Sequence, residues 1–243
     1  MRGRTATPLA EPASTSTTPT QATRRLLACG VVAGPLFLAV ALAQALTRDG
    51  FNLRHHPISL LSLGELGWIQ IANFILAGVL YLACAVGMRR VLGGGPGGTW
   101  GPLLVGALGV GLLMGGVFVT DAGAGFPPGA PAGAPERVSW HGMLHNLGPI
   151  LAFNAMIVGC LVFARRFAAL RRRGWVAASV ATAAAVFVLT WWPDLDGISV
   201  RLVVACAVLF GFVAAMAARL RRGLPAASAE QPTDTTQIAA GNR

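Results

Sequence analysis

Long apolar runs broken by short polar segments dominate the pattern of this chain. Six of the runs, residues 26–46, 67–88, 101–120, 141–163, 175–192 and 200–218, contain almost no charged side chain. A hydrocarbon core about 30 Å thick is crossed by about 20 helical residues. The pattern therefore predicts an all-α fold: a bundle of six transmembrane helices. Residues 1–23 and 223–243 lack an apolar period and are rich in Thr, Ala, Ser and Pro. They read as disordered tails flanking a membrane domain at 24–222. The first run is too long for a typical signal peptide and more spans follow, so it reads as an uncleaved helix.

Tryptophan supports this division independently. Trp68, Trp100, Trp140, Trp175, Trp191 and Trp192 all fall at the ends of runs and none at a centre. An indole prefers the headgroup level, where its ring meets lipid and its N–H meets water.

Composition agrees. Hydrophobic residues make up 54% of the chain and charged ones only 12%, against about 25% charged in soluble domains. The net charge of +10 comes entirely from arginine, since the chain has no lysine. The arginines stand in clusters between apolar runs and form no continuous basic face, which argues against nucleic acid as a partner. Clusters at Arg24–Arg25, Arg89–Arg90, residues 165–173 and residues 219–222 contain no acid, whereas Asp49, Glu65, Asp121, Glu136, Asp194 and Asp196 lie in the other three connections. The positive-inside rule then places both termini in the cytoplasm of a cell (inner or plasma) membrane and all four histidines outside.

Helices in lipid need small residues for close approach. Gly30 and Gly34 form one G-x-x-x-G, and Gly111 and Gly115 form another. The third helix, richest in glycine, is expected to be the central one. Intrachain packing is the favoured reading of these motifs, and a homo-oligomer interface is the alternative. Cys29, Cys84, Cys160 and Cys206 are isolated within apolar runs and read as small buried hydrophobes.

The candidate chemistry gathers outside. The first outer loop holds His55, His56, Pro57 and Ser59 before a Leu-rich stretch. Pro57 suits the first position of a short interfacial helix, with Ile58, Leu60, Leu61 and Leu63 on its apolar side and Ser59 and Ser62 elsewhere. Gln70 and Asn73 share one helix face and read first as interhelical hydrogen-bonding groups. His141 and His145, four apart at the start of the fourth run, have the spacing of a metal-ligand pair. Asp121 and His56 would complete a zinc-like set, so a divalent metal is the one cofactor considered. There is no H-E-x-x-H, nucleophile elbow or phosphate loop.

Gly50-Phe51, His56-Pro57-Ile58-Ser59, Gly64, Gly67-Trp68-Ile69-Gln70 and Asn73-Phe74 together resemble the signature of the bacterial membrane family catalogued as domain of unknown function 998. Asp121, Gly125-Phe126-Pro127, His141 and His145 fit the same resemblance, which covers about residues 25–220. It implies a multi-pass membrane fold and no particular reaction. Three functions fit the residues: a non-enzymatic membrane protein that takes a lipid or small-molecule ligand at an outward polar mouth, a metal-dependent hydrolase acting at the outer leaflet, and a small-solute transporter. The first is favoured. Transport by ion coupling would need ionisable groups near mid-bilayer, where Asn154 is the deepest strongly polar side chain.

Overall fold

The computed structural model describes residues 19–135, 137–193 and 197–225. The expected tails at 1–18 and 226–243, and Glu136, Asp194 and Asp196, lie outside the described residues. Six helices form: α1 (Pro19–Thr47), α2 (Gly67–Leu92), α3 (Trp100–Val117), α4 (Trp140–Ala169), α5 (Arg173–Trp191) and α6 (Ile198–Arg222). All six are long and apolar enough to cross a membrane. Large apolar side chains such as Val79, Leu103, Leu151, Val158 and Leu161 are exposed on their flanks. Water would penalise such a surface, and lipid does not. The chain is a multi-pass membrane protein.

The tryptophans mark the helix ends as the sequence predicts. Trp100 and Trp140 open α3 and α4, and Trp191 closes α5. α1 begins at Pro19, inside the segment read as a tail, because a helix can outrun its apolar stretch into the headgroup region.

The helices form a ring in chain order. Each packs on its sequence neighbours, and α6 closes the ring against α1. α3 is therefore a ring member packed along α2 and α4, which corrects the expectation that it sits centrally. Its glycines do provide the close approaches. A side chain on Gly109 would meet the Gly78 carbonyl of α2, and one on Gly148 of α4 would meet the Gly111 carbonyl. Gly30 faces Cys84, Gly34 faces Phe210 and Gly115 faces Phe74. Both G-x-x-x-G motifs are thus occupied by intrachain packing.

An even number of helices brings both described ends together: Arg24 donates to the Leu224 carbonyl at 3.0 Å. We call this the arginine end and the opposite one the histidine end. The short helix expected before α2 is a five-residue 3-10 turn, Ile58–Ser62. Pro57 precedes it in an extended conformation, not as its first residue. Leu60, Leu61 and Ser62 are buried. Ser62 turns inward, against expectation, because a 3-10 turn repeats every three residues and rotates the inward face away from the 3.6-residue pattern.

Candidate functional site

The histidine end is built from two long connections stitched together. His56 is the stitch. Its Nδ1 accepts the Asn52 N–H at 2.9 Å, so Nε2 carries the proton and donates to the Ala124 carbonyl at 2.9 Å. The ring also packs against Phe51 and Phe126. Phe126 is fully buried, and the Arg48 guanidinium lies 5.5 Å from its ring centre. Arg48 in turn donates to the carbonyls of Leu61 and Leu63. One cation thereby holds the 3-10 turn over the bundle. His55 is exposed and takes no part in this roof.

His141 and His145 share a face, as their spacing requires, and that face meets the end of α3. His141 Nδ1 donates to the Val119 carbonyl at 2.7 Å, and His145 Nδ1 to the Phe118 carbonyl at 2.8 Å. These carbonyls lie just past the last turn of α3, where no helical donor remains. Asp121 completes the joint. Its carboxylate accepts from the Ser139 hydroxyl at 2.6 Å and the Ser139 N–H at 2.9 Å. The Ser139 hydroxyl caps α4 by accepting the Gly142 N–H. A side chain at position 142 would collide with the Asp121 carboxylate, so glycine is what lets it approach. The Ser139 hydroxyl holds the Asp121 carboxyl below its ordinary pKa, aided by the Ser139 N–H and the nearby histidines.

The four residues of the expected metal set do not gather into one group among the described residues. His56 uses both ring nitrogens, and both Asp121 oxygens are engaged by Ser139. His141 and His145 each retain only Nε2. Among the described residues, no three of His, Cys, Asp and Glu come together to hold an ion. Through Nδ1 the two histidines tie α4 to the end of α3.

Gln70 and Asn73 also lie apart from the mouth. Gln44 donates to Gln70 at 2.8 Å, and Asn73 donates to Gln70 and to the Phe37 carbonyl. Three buried amides therefore join α1 to α2. Gln44 was not singled out in the sequence, although a lone amide in an apolar run was its available signal.

Among the described residues, a pair of cavities lies at the histidine end. An apolar one of about 220 Å³ lies within the bundle, walled by Phe37, Phe74, Leu112, Phe153, Cys206 and Phe210 among others. A more polar one of about 300 Å³ lies beside Thr120, Asp121, Ala124 and Val138. Pro57, Ser59 and Asn146 line both. Of these three, the sequence pointed to Ser59 as a site residue and missed Asn146, which adjoins His145. His145 reaches the inner cavity only, and Asp121 the outer one only.

The sequence model of a family described as "Protein of unknown function (DUF998)" matches residues 31–219. The chain belongs to this family. The match runs from the first helix into the last turns of α6 and so takes in both cavities of this DUF998 protein. No curated protein and no solved structure matches it.

Proposed function

We propose that this protein binds a lipid-like amphiphile through its histidine end and does not transform it. The observation that carries this reading is the meeting of the two cavities at Pro57, Ser59 and Asn146. An apolar chain in the inner cavity and a polar group at the mouth would match that division. The inner cavity exceeds the ~150 Å³ apolar void that takes up benzene. It falls short of the ~300 Å³ at which drug-sized pockets begin, so it suits one chain segment. The titratable groups nearby are engaged in structural hydrogen bonds, which favours binding over catalysis. The arginine clusters support an orientation with this end away from the cytoplasm, so the ligand would come from the outer leaflet.

The test is thermal stabilisation of the protein in lipid nanodiscs by octanol, octanoate and octylamine. Leu202 lines the inner cavity from α6, so Leu202→Trp is the plugged control. At least one probe is expected to stabilise the natural chain more than the plugged one. Equal responses to all three probes in both proteins would overturn the reading.

A further inference from the structure

The boundary that the two cavities share, here called the passage, has a chemical character that narrows the ligand. Asn146 and Ser59 line it, and neither side chain makes a hydrogen bond among the described residues. Asn146 is exposed although it sits in the second turn of α4. One turn further on, Pro149 lines the same inner cavity from inside α4. Proline has no N–H, so it cannot donate to the carbonyl four residues earlier, that of His145. Pro149 lines the cavity, and the carbonyl it leaves without a helical donor belongs to His145, which lines the cavity too. In an apolar environment such a carbonyl seeks another donor.

The passage therefore presents an amide that donates and accepts, a hydroxyl that does both, and a backbone acceptor. None carries a charge. The inner cavity is lined by no Arg, Asp or Glu among the described residues, and its one histidine, His145, already donates to Phe118. Arg201 precedes the lining residue Leu202, yet it lines neither cavity. The Asp121 carboxylate lines the outer cavity only, and among the described residues no arginine lines either cavity to pair with an anionic headgroup. A cation that reached the passage would find no carboxylate there, only dipoles, and would lose much of its hydration.

Resting on the binding reading above, we propose that the passage at Ser59, Asn146 and the His145 carbonyl selects single-chain lipids with an uncharged hydrogen-bonding head. A hydroxyl or hydroxyl-bearing ester is the chemistry it fits. The head would donate to the His145 carbonyl and accept from the Asn146 amide, while the chain enters the cavity below.

The three octyl probes differ only in their heads, which makes them a direct test in nanodiscs. Specific binding is the response of the natural chain minus that of Leu202→Trp, with Cys206→Phe as a second plug should the first unfold. Octanol is expected to bind about tenfold or more tightly than octanoate or octylamine, because a charged head enters unpaired. Asn146→Asp replaces the amide with an isosteric carboxylate and should move the preference toward octylamine. Asn146→Leu should weaken octanol while leaving the plug-sensitive response to heptane, which has no head to read. Equal specific affinity for all three heads would overturn the selection and leave the binding reading intact. So would an unchanged preference in Asn146→Asp. Absence of any specific response would end both.

Discussion

The two ends of the bundle meet the same physical requirement in opposite ways. At the arginine end, α2, α4 and α6 each carry cations in their last turn. Arg89 donates to the Gly93 carbonyl at 2.7 Å, Arg166 donates to the Pro96 carbonyl at 2.8 Å, and Arg219, Arg221 and Arg222 sit in the last turn of α6. The Arg89 contact is local, whereas Arg166 reaches the connection between α2 and α3, and Arg24 of α1 reaches the Leu224 carbonyl; each is a single long cation at a helix end, where the helix dipole favours it. The two connections there are short. At the histidine end, α3 is closed by imidazole rings borrowed from α4, and α1 passes into Arg48, which reaches the loop ahead of α2. Here the chain ends its helices with groups from elsewhere. That demands long, folded connections, and these leave space between them. The cavities belong to the end built from borrowed contacts.

The two ends should therefore respond unequally to substitution. The largest effect is expected from His56→Leu. It strands the Asn52 N–H and the Ala124 carbonyl and should lower the unfolding free energy by about 2–3 kcal/mol in a denaturant titration. Hydrogen exchange should rise in both long connections and leave the arginine end protected. Next is Asp121→Ala, which removes the partner of the α4 cap and should cost about 2 kcal/mol, with fraying confined to the start of α4. Asp121→Asn should retain part of this, because an amide oxygen still accepts the Ser139 N–H.

The same carboxylate gives the histidine end a pH dependence. Its pKa is lower in the folded protein than in the unfolded chain. Its contribution is therefore fully present above the unfolded value of about 4 and is lost as pH falls through the folded value. Melting curves of the natural chain should drop more below pH 4 than those of Asp121→Ala. Equal slopes would break the assignment.

Gln70→Leu tests the amide joint between α1 and α2. Hydrogen bonds within membrane helices average about 0.6 kcal/mol, and losing both bonds to Gln70 should cost about 1 kcal/mol, seen in the same titration. The smallest effect is expected at the arginine end. Arg171→Gln alters an exposed side chain and should change stability by less than about 0.5 kcal/mol. A loss as large as that of His56→Leu would erase the contrast between the ends.

Much of the architecture was already written in the order of residues. Runs of about 20 apolar residues leave few alternatives to membrane helices, since every backbone polar group in lipid must be satisfied within its own helix. Tryptophans at the run ends and a short element after Pro57 followed from the same local rules. The polar residues carried less information. His141 and His145 displayed an i, i+4 spacing, and only the tertiary structure shows that their Nδ1 atoms meet the carbonyls at the end of α3. Ser62 turned inward because the turn adopted a three-residue period. Asn146 and Pro149 acquire a role only because ring closure leaves a hollow at their level, between α4 and α6. Spans and their ends depend on contacts within a few residues and with solvent, and these are local in sequence. The roof, the joint at Asp121 and the neutral passage depend on which carbonyl, ring or void a distant segment brings opposite, and that was decided by the tertiary structure alone.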